Sequence, residues 1–300
     1  MPVVNKTTNP ELFPLYYEKK ALEYVKANLV ATKYGQLFRM PRNSGRTAVF
    51  TRFEPLPVNT TPLTDKPTPA EGTSIASRQV QATIEEYGNY IDLDTFTDIT
   101  SFVPLVDQAT DLLSYNAQQT LDAVAMKELL GGTNVIYAGG ASSREELTGD
   151  KPLTKADIRE AVKRLKRKNI PTFEDGYYVC FIHPDKLTEL FTDQELISLA
   201  MTKKDAFETG VVGVFAGVKF VETTQLPILE VTDADGNKHP VYQTLIFGKN
   251  AYGVVQIDGN TFQLVYTNTD KLGRVKTIGW TAYFTAKRLL EDAIVRIESN

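Results

Sequence analysis

The chain holds one cysteine, Cys180, two histidines, His183 and His239, and one tryptophan. A single cysteine excludes an intrachain disulfide and points to a reducing compartment. So few imidazoles and thiols also leave little material for zinc sites or histidine-based acid–base catalysis. Long apolar runs are missing too: none approaches the roughly 18 residues that a membrane span needs. The N-terminus MPVVNKTTNPELF has no apolar segment of a secretion signal. The expectation is a soluble, unsecreted chain, in which the Asn-x-Thr sites at Asn5 and Asn59 carry no meaning. Charge of one sign is lacking as well, with 33 basic residues against 37 acidic ones and a net charge of −4. A dedicated nucleic-acid binder usually shows a basic excess, so the bulk charge argues against one.

Motifs that carry chemistry are equally scarce. There is no G-x-S-x-G elbow, no G-x-x-x-x-G-K-[ST] loop and no G-x-G-x-x-G fingerprint. Cys180 and His183, with Asp185 nearby, give a C-x-x-H spacing, but four zinc ligands cannot be assembled around them. Gly210, Gly213 and Gly217 suit tight strand turns better than a phosphate cradle. DADGN, Asp233 to Asn237, lacks the sixth-position glycine and twelfth-position glutamate of a calcium loop. Glu85 and Glu86, or Asp92 and Asp94, could serve a hydrolase only on a concave surface; a solvated sheet is the default. KRLKRK, Lys163 to Lys168, is the one basic cluster, and it falls at a helix C-terminus, where cations favour the dipole. No catalytic, cofactor-binding or metal-binding residue is therefore assigned.

What is present is enough apolar material for a core: 42% hydrophobic residues in a chain of 300, a length that suggests one or two domains. Helical spacing of Leu15, Leu22, Val25, Leu29 and Val30 predicts a first helix over Glu11–Tyr34. Ser101 is a good N-cap with Pro104 in the first turn. The apolar stripe Phe102, Leu105, Val106, Ala109, Leu112, Leu113, Ala117, Leu121 and Val124 then predicts a long helix to Leu130, stopped by Gly131-Gly132. Its length, about 45 Å, is that of a spine. Thr154 and Asp157 form a capping box ahead of a short helix. Tyr177 to Ile182 reads as a buried strand, and HPDKLTELF as another short helix. From Gly210 the pattern is mostly β, closing in Arg274–Phe284 and Ala293–Ile297 around a short Lys287–Leu290 segment. The class is α+β.

The stretch Phe50 to Gly88 stands apart. Thr47, Val49, Thr51 and Phe53 alternate with Ala48, Phe50 and Arg52; Val80, Ala82 and Ile84 alternate likewise, before a bend or bulge at Gly88. Between these flanks lie five of the chain's fifteen prolines, Pro55, Pro57, Pro62, Pro67 and Pro69. An isolated hairpin is marginal in water, and ordering each residue costs about 1–2 kcal/mol. The hairpin therefore requires a surface from elsewhere, and a neighbouring copy is the simplest source. Proline at the tip removes donors and blunts the strand edges.

The order of parts resembles the tailed-phage major capsid proteins, whose parts are called N-arm, E-loop, P-domain and A-domain. TPLTDKPTPAEG with VQATIEEYGNYIDLDTFTDIT resembles the E-loop and its descent into the spine helix. LLGGTNVIYAGG, LTKADIREAVKRLKRKNIP, YYVCFIHPDKLTELF, GVFAGVKFVETTQLP and IGWTAYFTAKRLLEDAIVRIES extend the resemblance over nearly the whole chain. It implies an N-terminal arm over 1–45, an E-loop hairpin over 46–95 and a P-domain with spine helix over 96–150. An A-domain insertion would follow over 151–239, with return strands over 240–300. It implies a non-enzymatic shell protein without cofactor or metal, forming hexamers and pentamers of an icosahedral head around double-stranded DNA. Expected partners are copies of itself through Pro55, Pro57, Pro62, Lys66, Pro67 and Pro69, a separate scaffolding protein, a portal and packaged DNA in non-specific contact, with no membrane. The expected location is the virion capsid, assembled in the host cytoplasm. Some relatives cross-link an E-loop lysine to a neighbour's asparagine. Lys66 is the one candidate here, although an ordinary exposed lysine is the blander reading. The rival readings are a bacterial encapsulating shell of the same fold and a soluble hydrolase with an unrecognised site.

Overall fold

The computed structural model describes residues 31–58, 60, 74–147, 151–191, 211–232, 236–257, 262–268 and 270–300. In its first half these form α1 (Ala31–Tyr34), β1 (Gln36–Met40), β2 (Thr47–Phe53), β3 (Ser77–Thr83), β4 (Glu85–Asp94), α2 (Thr95–Thr100), α3 (Leu105–Leu130) and β5 (Val135–Tyr137). Then come α4 (Lys155–Arg167), β6 (Tyr178–Ile182), α5 (Pro184–Phe191), β7 (Val211–Phe215), β8 (Val218–Glu222) and β9 (Leu229–Thr232). The chain closes with β10 (Lys238–Phe247), β11 (Tyr252–Ile257), β12 (Phe262–Asn268), β13 (Val275–Arg288) and β14 (Ile294–Ser299).

The larger sheet has the order β5-β14-β10-β6-β8-β7, with β9 beside the first part of β10. Its central strand β6, YVCFI, is buried at all five positions. A near-continuous apolar run of that kind suits a strand covered on both faces. Ile158, Ala161, Val162 and Leu165 of α4 share its core. The predicted capping box of α4 is formed: Thr154 Oγ1 accepts from the Asp157 amide, and Asp157 Oδ2 accepts from the Thr154 amide. The smaller sheet is organised on β13, with β4 along one edge and β11 followed by β12 along the other.

The helix α3 spans both cores. Leu105, Ala109, Leu113 and Ala117 recur every four residues and pack on Ile278, Trp280 and Ala282 of β13. Further along, Ala125, Met126 and Leu129 join the core of the larger sheet. At 26 residues the rod is about 39 Å long. It starts later than the sequence suggests. Ser101 ends α2 rather than opening α3, and Phe102 is 80% exposed instead of belonging to the buried stripe. Pro104 disfavours helical backbone at the residue before it, so α3 begins only at Leu105, and the separate short helix α2 lies upstream of the expected start.

Two other expectations change. Gly88 marks no bulge, because β4 pairs without interruption from Val275↔Asp94 to Phe284↔Glu85. Glycine is required there by a close approach: a Cβ would lie 2.7 Å from the Trp280 carbonyl oxygen. The ribbon turns into the sheet at Ile84 instead, between β3 and β4. The Ile84 amide donates to the Arg46 carbonyl at 2.9 Å, and Arg46 Nε donates back to the Ile84 carbonyl at 2.9 Å. Strand β13 also runs through Lys287 to Arg288, since β11 pairs with it to that end. Of the predicted first helix, residues 11–30 lie outside the described residues, while Ala31–Tyr34 are helical. This last turn is anchored. The Thr32 amide donates to the buried Asp122 at 3.0 Å, and the Tyr252 hydroxyl donates to the Ala31 carbonyl. Burial, then the Asp122 charge, holds the Tyr252 phenol protonated well above its ordinary range.

Candidate assembly surface

The ribbon of β2 and β3 is antiparallel from Thr47↔Thr83 to Phe53↔Ser77, and the Glu54 amide extends it to the Ala76 carbonyl. Seven residues per strand reach about 24 Å. Among the described residues, only the base of the ribbon is packed. Ala48, Ala82 and Ile84 are buried with Met40 and Val255. Phe50 is half-buried, 5.5 Å edge-on from Phe38, and lies directly on Gly253, where a Cβ would be 2.6 Å from its ring.

Beyond the base the inward face continues Ala48↔Ala82, Phe50↔Val80, Arg52↔Arg78. The last pair sets two exposed cations directly opposite each other, an arrangement that destabilises an isolated ladder. Neither arginine has an ion-pair partner among the described residues. Phe53, Leu56 and Ile75 are also exposed, and Val58 is 89% exposed. Pro55 and Pro57 are exposed on this stretch. Pro62, Lys66, Pro67 and Pro69 lie outside the described residues.

A second apolar cluster was missed by the sequence reading. Asp94 caps α2 by accepting from the Thr97 amide at 2.9 Å, which turns Phe96 and Ile99 outward beside Phe102. The Thr95 amide donates to the Arg274 carbonyl at 2.7 Å and Thr95 Oγ1 to the Gly273 carbonyl at 2.8 Å. These bonds place the exposed Leu272 turn alongside. The charges around it are paired, Asp98 with Lys276 and Asp270 with Arg274. The signal lay in DTFTDITSF, whose apolar residues recur every three positions.

The chemically suggestive residues have structural partners. Cys180 is fully buried in β6, and burial pushes its thiol well above the usual range. His183 Nδ1 lies 3.3 Å from Asp185, which also accepts from the Tyr242 hydroxyl at 3.0 Å. Asp92 accepts from Thr277, while Asp94 serves as the α2 cap. Among the described residues no three metal-ligating side chains converge, and no described helix is long and apolar enough to cross a membrane.

Against known proteins, the profile of a family described as phage capsid protein matches residues 77–297. No protein of curated function matches by sequence. Among solved structures, the capsid of Ralstonia phage GP4 superposes with a TM-score of 0.78 at 14% identity, covering 96% of this chain and 93% of that one. The capsid of cyanophage P-SCSP1u gives 0.71 at 16%, covering 97% and 94%. The holo-SrpI encapsulin complex of Synechococcus elongatus gives 0.66 at 8%, covering 98% and 95%.

Proposed function

Because the chain belongs to the phage capsid protein family, we propose that its exposed ribbon and α2 cluster are the surfaces by which copies tile a closed head. The chain is a structural protein of the virion shell, not an enzyme, and it self-associates into capsomers. In the proposed arrangement the capsomers are hexamers and pentamers of an icosahedral shell that encloses double-stranded DNA. Assembly takes place in the host cytoplasm, with a scaffolding protein and a portal as partners. The segments act as N-arm (1–45), E-loop (46–95), P-domain (96–150), A-domain (151–239) and return strands (240–300).

The observation that carries this reading is the ribbon itself. It is a regular ladder with a packed base and an unpacked outer part. Exposed Phe53, Leu56, Val58 and Ile75 and an unpaired Arg52/Arg78 couple are costly on a free subunit. A neighbouring copy that supplies an apolar floor and a carboxylate removes both costs. The prolines from Pro55 to Pro69, with Lys66 among them, lie on that neighbour.

The test is electron microscopy of the purified full chain beside a variant lacking residues 58–71. The full chain forms shells, tubes or capsomers. The deletion variant stays soluble and folded by circular dichroism but fails to form them. A variant that unfolds instead places the tip inside the subunit's own core and overturns the reading.

A further inference from the structure

The polar face of α4 is a cationic ridge left open by the fold, and we infer that it binds the phosphate backbone of nucleic acid. Between Lys155 and Lys168 stand seven basic and two acidic residues, a local net charge of +5 in a chain of net −4. The helix's apolar face, Ile158, Ala161, Val162 and Leu165, is spent on the core of the larger sheet. Its charged face therefore looks outward, and Arg159, Lys163, Lys166 and Arg167 are all exposed. From Arg159 to Arg167 the ridge runs about 12 Å.

Neutralisation by the protein is incomplete. Glu160 is shared by Lys163 at 3.0 Å and Arg164 at 3.8 Å, and Lys168 meets Asp292 at 3.3 Å. Lys166 and Arg167 have no ion-pair partner among the described residues. At the C-terminal end of the ridge is a shallow recess of about 300 Å³, lined by Asn134, Arg164, Arg167, Lys168 and Asp292. Arg164 is held there in advance, donating from Nη1 to Asn134 Oδ1 at 3.2 Å and to the Val135 carbonyl at 3.1 Å. A positioned guanidinium beside two further cations matches a phosphate group.

The helix dipole accounts for the cations of the last turn, and Arg159 packs over the Phe215 ring at 5.4 Å; neither neutralises Lys166 or Arg167. A membrane surface does not fit either. An interfacial helix needs a free apolar face, and this one is already buried. What remains is a polyanion recognised by charge. This inference rests on the reading of a DNA-enclosing shell and names where the wall meets the genome.

The test uses the purified full chain and a short fluorescent duplex of arbitrary sequence, titrated by anisotropy at several salt concentrations. The expected affinity falls linearly with salt on logarithmic axes, by about 0.9 in slope for each phosphate contacted. The triple variant Lys163→Gln, Lys166→Gln, Arg167→Gln loses about 2–3 from that slope. A control triple on other surfaces, Lys238→Gln, Lys249→Gln, Lys271→Gln, removes the same net charge and leaves the slope unchanged. Arg167→Gln alone, with unaltered thermal melting, loses about 0.9. Equal losses in both triples would show that only net charge counts and would overturn the ridge. Release of the duplex by inorganic phosphate, beyond the effect of matched ionic strength, would make the site one for small anions and overturn it likewise. Particles in the microscope without any duplex binding would sink the ridge while leaving the shell reading intact.

Discussion

Strands β6 and β2 are both short and rich in apolar or β-branched residues, yet the chain treats them in opposite ways. In β6 every residue of YVCFI is buried; in β2 only Ala48 of TAVFTRF is. The first has β10 and β8 as neighbours and helices in its core. The second has one partner strand and, past Phe50, no packing from the described residues of the body. Hydrophobic burial near 25 cal/mol per Å² stabilises β6 within the subunit. For the outer part of β2 the same gain would come from the proposed assembly. On the proposed reading, a single polypeptide holds a body packed within the subunit and a limb whose energetics belong to the shell.

The contrast breaks first in the body. Phe181 in β6 is fully buried and edge-on to Phe247 at 4.8 Å. Phe181→Ala should cost about 3–5 kcal/mol, read as a fall in the denaturant midpoint of the soluble subunit. Next comes the charged network on β14 of the larger sheet. The fully buried Glu298 accepts from Arg144 Nε at 2.7 Å and from Gln243 at 3.2 Å, and lies 2.8 Å from Arg296 Nε. Burial raises its pKa, but the Arg144 and Gln243 hydrogen bonds and the two cationic charges outweigh that, and the net shift is downward. Glu298→Gln leaves the arginines uncompensated and should cost about 3 kcal/mol near neutral pH. The folded pKa lies below the ordinary value of 4.5, so the unfolded chain binds the proton more readily. The stabilisation is complete above that value and is lost as pH falls through the lower folded one. Melting curves of wild type and variant should converge in acid; a gap that widens there would refute the account.

The joint between body and limb comes third. Gly253→Ala puts a methyl 2.6 Å from the Phe50 ring and should cost about 1–3 kcal/mol. Phe50 can swing outward, so the strain should appear as faster hydrogen exchange at the Ala48 and Ala82 amides, with β6 protected as before. Equal loss of protection in β6 would mean that ribbon and body form one cooperative unit.

Much of this division was legible in the sequence because each part has a local signature. The capping box at Thr154, the apolar run of β6 and the two-residue alternation of β2 and β3 need no tertiary knowledge. The larger architecture came through resemblance rather than periodicity. What failed depended on neighbours. Pro104 cuts Phe102 from the front of an apparently continuous stripe, and the carbonyl of Trp280, 192 positions after Gly88, explains a glycine that looked like a bulge. The basic run in α4 reads in the sequence as a helix end whose cations favour the dipole; its exposure and the recess at its end emerge only once the apolar face is seen packed. The Arg52↔Arg78 opposition required the register.

The smallest effect on the subunit should coincide with the largest on assembly. Val58 and Ile75 are exposed, and substitutions at such positions usually change stability by less than about 0.5 kcal/mol. Val58→Asp with Ile75→Asp, or Arg52→Glu alone, should leave the melting temperature of the free subunit unmoved. On a neighbour's apolar floor the same carboxylates would be buried without partners, which costs several kcal/mol. Arg52→Glu would oppose the carboxylate proposed to meet the arginine couple, while its attraction to Arg78 would, if anything, steady the isolated ribbon. Sedimentation should therefore show intact subunits that no longer enter particles. If these variants melt lower yet still assemble, the limb leans on its own body, and the contrast with β6 is one of degree.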